Sequence, residues 1–225
     1  MKRFALALLA GVLAGPLHAG DEETTTAATS AAQPALTAPK AAQNRLLDIA
    51  VVGSHLIAVG EQGVILRSDD GKAWTQVPSP VNGMLTRLHF IDENQGWALG
   101  YDAAILQTTD GGGSWSVRHF DAKARPLYDL LFLDEQHGFA VGGYGSILET
   151  SDGGQHWTPR ESDLSALGMH FNAILRLGDG SLFIAGERGL MARSVDAGAT
   201  WQVLDFPYAG SIFGALSLGE NRLLA

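Results

Sequence analysis

Cysteine is missing from all 225 residues of this chain. Its absence excludes disulfide staples, thiolate nucleophiles and Cys-ligated zinc together. Long apolar runs are missing as well. The run from Phe4 to Ala14 is eleven residues, well under the roughly 20 that a membrane-spanning helix needs, and no later stretch is long enough. The seven histidines show no H-x-x-x-H or comparable ligand spacing, so no metal is expected. No G-x-S-x-G, phosphate loop or dinucleotide fingerprint is present, and no cofactor is expected. Positive charge is in the minority: 15 basic against 24 acidic residues give −9, or −11 once Lys2 and Arg3 are removed. Such a surface repels phosphate backbones and argues against a nucleic-acid partner. Finally, no segment holds a helical period.

What is present begins with a leader. Lys2-Arg3, the apolar run, a Gly-Pro break and Leu17-His18-Ala19 have the three-part layout of a secretory signal, with cleavage expected after Ala19. Residues 20–44 follow, rich in Ala, Thr, Gln and Pro and nearly free of large apolar side chains. Such a segment buries too little surface to offset its ordering entropy, and reads as a flexible, disordered linker. With 46% hydrophobic residues overall, residues 45–225 can bury a sizeable core.

That region is repetitive. Trp74, Trp115, Trp157 and Trp201 return at intervals of 41, 42 and 44 residues, each closing a turn: SDDGKAW, TTDGGGSW, TSDGGQHW and SVDAGATW. Gly60, Gly100, Gly142 and Gly186 keep step at 40, 42 and 44. Each period holds four short runs of strand character bounded by turn residues. Four antiparallel strands in about 42 residues are the arithmetic of a propeller blade. The predicted fold is therefore an all-β propeller, with blades near 45–82, 83–124, 125–168 and 169–209. Residues 210–225 match only the first two strands of a fifth blade, which predicts a truncated propeller.

The turn residues read as structural. They are Ser68, Asp70, Gly71 and Trp74; Thr108, Asp110, Gly112 and Trp115; Thr150, Asp152, Gly154 and Trp157; and Ser194, Asp196, Gly198 and Trp201. A period of about 42 residues puts the four carboxylates on separate blades, where they cannot converge on one substrate. A short Asp side chain instead accepts N–H groups of its own turn, and Gly supplies positive φ. Calcium loops would need the D-x-[DN]-x-[DN]-G-x5-E series, which is lacking. Asp92-Glu93 and Asp134-Glu135 are turn formers on the same reasoning.

Function is sought in what varies. The loops joining second to third strands, and those joining successive blades, share one face of a propeller. Tyr101, Arg125, Tyr144 and Arg188 lie in them, and Tyr and Arg are enriched in binding hot spots. They form the expected protein-binding surface.

The pattern G-x-x-G-x-I/L-x-x-S/T-x-D-G-G-x-x-W, seen as GGYGSILETSDGGQHW, resembles the photosystem II stability/assembly factor-like β-propellers of the BNR or Asp-box class. The resemblance implies an exported, non-enzymatic scaffold that binds a membrane-protein precursor or assembly intermediate. Its place would be the periplasm, the thylakoid lumen of a photosynthetic host, or the medium. Two departures stand out: Ala103 and Ala197 occupy positions where the pattern has Gly. The alternatives are a sialidase-like glycoside hydrolase, which shares propeller and Asp boxes, and a carbohydrate-binding propeller. The hydrolase needs an arginine triad, for which Arg87, Arg125 and Arg176 are the available candidates.

Overall fold

A computed structural model describes residues 31–219 and 222–225. The leader and the first part of the 20–44 segment lie outside the described residues. Four sheets of four antiparallel strands follow one another, each a simple meander. The first contains β1 (Leu46–Val52), β2 (His55–Gly60), β3 (Ile65–Ser68) and β4 (Thr75–Val77). The second contains β5 (Leu85–Phe90), β6 (Gly96–Gly100), β7 (Ile105–Thr108) and β8 (Ser116–His119). The third contains β9 (Leu127–Phe132), β10 (Gly138–Gly142), β11 (Ile147–Thr150) and β12 (Thr158–Pro159). The fourth contains β13 (Phe171–Arg176), β14 (Leu182–Gly186), β15 (Met191–Ser194) and β16 (Gln202–Val203). A two-stranded sheet, β17 (Leu216–Ser217) and β18 (Leu223–Leu224), comes last. These are four blades of a β-propeller and part of a fifth, and the sheets do not close into a ring.

The first strand of each blade is innermost, because β1, β5, β9 and β13 contact their counterparts in adjacent blades. Every residue of β6, β10 and β14 is buried. That pattern follows from burying both faces of a sheet, which turns alternation into a continuous apolar run. Ile57 and Val59 face Leu85 and Trp115 across the first blade interface. Trp97 and Leu99 meet Leu127 and Trp157 at the second, and Phe139 and Val141 meet Phe171 and Trp201 at the third. Burying an aromatic or aliphatic side chain of this kind contributes roughly 1.5–3 kcal/mol. The repeat is thus a device for placing one indole in each seam.

The glycine at the end of each second strand is required by close approach. A Cβ at Gly60, Gly100, Gly142 or Gly186 would lie 2.0–2.2 Å from the carbonyl oxygen of Arg45, Met84, Pro126 or His170. Each inner strand bulges at that point, giving register shifts around Leu47, Thr86, Tyr128 and Asn172. A bulge re-aims side chains, and these four line the central cavity.

The linker expected over 20–44 differs in its final part. The N–H of Ala35 donates to the Ser79 carbonyl (3.0 Å), and Gln76 bonds both the Ala38 N–H (2.9 Å) and the Leu36 carbonyl (3.0 Å). Ala41, 3% exposed, packs with Ala58, Val64, Leu66 and Trp74. Among the described residues no blade precedes the first, and this strap packs against Trp74. The physical reason is that a slot beside an indole takes a methyl group, so a segment without large apolar residues still finds burial.

Candidate functional site

The four Asp turns are built alike. The hydroxyls of Ser68, Thr108, Thr150 and Ser194 donate to Asp70, Asp110, Asp152 and Asp196 at 2.7–3.2 Å. The same oxygens accept the N–H of Gly71, Gly112, Gly154 and Gly198 at 2.8–2.9 Å. Each carboxylate also takes a backbone N–H of its own turn: Ala73, Ser114, His156 and Thr200 at 2.8–3.0 Å. The amide of His156 holds Asp152 down to about 2, and the hydroxyl of Thr200 with its amide does the same for Asp196. The Ala73 amide lowers Asp70, and the Ser114 hydroxyl lowers Asp110. These carboxylates are occupied locally, each on its own blade. Among the described residues no cluster of three metal-ligating side chains exists.

The tryptophans do not behave identically. Trp115 and Trp157 are buried and each donates its indole N–H to the glycine carbonyl of its own turn at 3.2 Å. Trp74 and Trp201 are half-buried.

The functional candidate lies on the opposite loops, at the mouth of a central cavity of about 500 Å³. Its lining comes from the inner edge of each of the four blades and from the segment just before β17, and includes Asp48, Arg87, Tyr128, Asp129, His170 and Asn172. Asp129 is buried at the hub. It accepts Arg87 Nε at 2.9 Å and the Ile174 N–H at 2.9 Å, which ties the second, third and fourth blades together. Burial pushes its carboxyl up, and the Arg87 charge opposes that rise. Asp48 does similar work two blades earlier, taking the Leu88 N–H at 2.8 Å.

Of the four predicted residues, two come into direct contact: the guanidinium carbon of Arg125 lies over the Tyr144 ring, 4.5 Å from its centroid. Tyr144 in turn meets His170 edge-on at 4.6 Å, and His170 meets Tyr128 edge-on at 6.1 Å. This Arg–Tyr–His–Tyr ladder runs from the rim into the cavity. The Tyr128 hydroxyl is raised first by burial, then by the neighbouring Tyr101 and Tyr144 hydroxyls. Arg188 sits one turn further round, 4.0 Å from Glu187. Tyr144 and Tyr101 are 57% and 42% exposed, so aromatic surface is displayed to solvent.

Sequence reasoning missed Tyr128 and His170 as members of this cluster. Tyr128 reads as one residue of an inner-strand run, and only the bulge turns it to the mouth. The signal for His170 was its position at the end of the inter-blade loop.

Comparison with known proteins places the chain. The family model described as photosynthesis system II assembly factor YCF48 matches residues 66–126 and 122–210. A curated relative, the chloroplastic photosystem II stability/assembly factor HCF136 of Cyanidioschyzon merolae, is 32% identical over 83 residues, 34% of this chain and 19% of the relative. A solved YCF48 bound to D1 peptide superimposes with a TM-score of 0.56 at 21% identity, covering 71% of this chain and 54% of that one. An ancestral GH74 enzyme gives a TM-score of 0.61 at 14% identity, covering 73% and 24%. Both likenesses show the fold alone. The chain spans about half the length of the solved YCF48 and less of the curated relative. On the family match, and on the repeat geometry that underlies it, this chain belongs to the photosynthesis system II assembly factor YCF48 family.

Proposed function

We propose that this protein is an exported, non-catalytic scaffold that captures a segment of a partner protein at the loop face around the hub. The partner would be an envelope membrane protein or an assembly intermediate, and the compartment the periplasm, or the thylakoid lumen in a photosynthetic host. The observation that carries the reading is the Arg125–Tyr144–His170 stack at the cavity mouth. Exposed aromatic and guanidinium groups held rigid by one another bind peptides at low entropic cost. A family relative is described as bound to D1 peptide, which supports a peptide-like occupant. Export is supported by the leader-like residues 1–19 and by the described residues, in which no helix is long and apolar enough to cross a membrane.

Glycoside hydrolysis finds less support. A hydrolase needs carboxyl groups turned toward a substrate, whereas Asp48 and Asp129 are engaged by backbone amides and by Arg87.

The test is titration calorimetry of the full chain with the D1 peptide. Wild type should bind, and Arg125→Ala and Tyr144→Ala should each weaken binding about tenfold, as hot-spot truncations do. Binding that is absent, or unchanged in both variants, would overturn the proposal.

A further inference from the structure

In every blade the turn after the second strand holds a non-glycine residue at positive φ: Gln62 (+58°), Asp102 (+59°), Tyr144 (+56°) and Arg188 (+57°). Such a conformation is disfavoured for side chains other than Gly, Asn and Asp, so the surroundings must hold it. Tyr144 is held in a way its counterparts are not. Its backbone N–H donates to Nδ1 of His170 at 2.9 Å, and among the described residues no side chain accepts the N–H of Gln62, Asp102 or Arg188. The cause is one position at the entrance to the next blade. Met84 and Pro126 stand where the fourth blade has His170, since each carbonyl accepts the first N–H of its own blade's turn, from Tyr101, Gly143 and Glu187 respectively. Neither residue offers an imidazole nitrogen as acceptor.

Neutral imidazole has one nitrogen that accepts, and imidazolium has none. Protonation at Nδ1 would therefore set two N–H groups against each other and leave the Tyr144 amide without its partner. Several charged or titratable groups face this ring. Glu187 accepts the His170 backbone N–H at 3.3 Å and itself lies 4.0 Å from Arg188. Arg125 stacks on the far member of the pair, Tyr144, and Tyr128, Arg87, Asp48 and Asp129 share the cavity. Glu187 attracts an imidazolium and the arginines repel it. None of them offers the Tyr144 N–H a replacement acceptor.

We propose that His170 is a proton-sensitive latch: at neutral pH it fixes Tyr144, and with it the Arg125 stack, in the docking pose, and on acidification it lets that turn go. The latch regulates the loop-face site and rests on the reading above for its consequence, not for its existence. An imidazole changes charge between about pH 5 and 8, which sets the range to examine.

The experiment is amide exchange by NMR on the full chain at pH 7.5 and pH 5.5, corrected for intrinsic exchange rates. The references are the Ala104 and Leu190 amides, which bond the Tyr101 and Glu187 carbonyls within the corresponding turns of the neighbouring blades and involve no histidine. Protection of Tyr144 should fall about tenfold relative to these references at acid pH, the worth of one hydrogen bond. His170→Gln keeps an acceptor that does not titrate and should flatten the profile, with His170→Asn as a second such variant. A Tyr144 amide that tracks Ala104 and Leu190 across the range overturns the latch, as does an unchanged acid loss in both variants. Titration with the D1 peptide at the two pH values separates the two ideas. Weaker binding at pH 5.5 in wild type alone supports regulation, and equal affinity at both overturns it. Absence of binding at either pH sinks the loop-face reading, while the exchange profile still decides the latch.

Discussion

Trp97 is pressed against Gly154 of the next blade so closely that a Cβ on the glycine would lie 2.6 Å from the indole nitrogen. That nitrogen is fully buried and, among the described residues, has no hydrogen-bond partner. The third and fourth blades hold Phe139 and Phe183 at the paired position. An orphaned buried donor costs about 1–3 kcal/mol, which offsets much of the contact the larger ring makes. Trp97→Phe should therefore cost under about 1 kcal/mol, against about 3–5 kcal/mol for Trp97→Ala. Gly154→Ala should be severe, since it adds that clash to a φ of +80°. Urea unfolding followed by circular dichroism ranks the three, and a Trp97→Phe loss equal to that of Trp97→Ala would refute the argument.

Two alanines occupy backbone that glycine fills elsewhere. Ala103 has φ +46° where Gly63, Gly145 and Gly189 have +67° to +79°, and Ala197 has +55° where Gly111 and Gly153 have +67° and +71°. A left-handed conformation costs a residue bearing a Cβ roughly 1–2 kcal/mol. Ala103→Gly and Ala197→Gly should each raise stability by about 0.5–1 kcal/mol, the extra chain entropy of glycine reducing the gain. Thermal unfolding of the single and double variants checks this, with the two effects adding because the sites are on different blades.

Acid should loosen the Asp turns in a defined window. Folding lowers Asp152 from 3.8 to about 2 through the amide and then the imidazole of His156, and Asp196 likewise through the hydroxyl and then the amide of Thr200. A carboxylate whose pKa falls on folding stabilises the native state above its unfolded pKa, and that contribution is lost as pH drops through the folded one. The urea midpoint should therefore decline between about pH 4 and pH 2. Replacing both residues with Asn should lower the midpoint at pH 7 and flatten the decline; an equally steep decline in the double variant would place the acid sensitivity elsewhere.

Much of the architecture was legible because its signals are local and repeated. The Asp turn needs a hydroxyl, a carboxylate and a glycine within five residues, so its pattern stays visible at every return of the period. Gly60, Gly100, Gly142 and Gly186 stay in step because backbone from the adjoining inner strand leaves no room for a Cβ. The candidate site was less legible. Arg125 and Tyr144 could be placed on one face from loop order, but the contact of Tyr144 with His170 depends on a bond between blades, 26 residues apart in sequence. Tyr128 was hidden for another reason: a bulge breaks the two-residue alternation from which facing is read.

The strap over the first blade offers a test of how little apolar surface can order a segment. Ala41 is its buried point, set among Ala58, Val64, Leu66 and Trp74, while Leu36, the larger side chain, is 86% exposed. Size is therefore a poor guide here, and position decides. Ala41→Asp would put a carboxylate into an apolar slot with no partner and should cost roughly 1–3 kcal/mol, or detach the strap. Leu36→Ser should change stability by less than about 0.5 kcal/mol. Detachment would uncover Trp74, so acrylamide should quench the fluorescence of Ala41→Asp more than that of wild type. The excess should vanish in an Ala41→Asp, Trp74→Phe double variant. Equal quenching in Ala41→Asp and wild type, with an unchanged urea midpoint, would mean that the strap does not hold to the blade through Ala41.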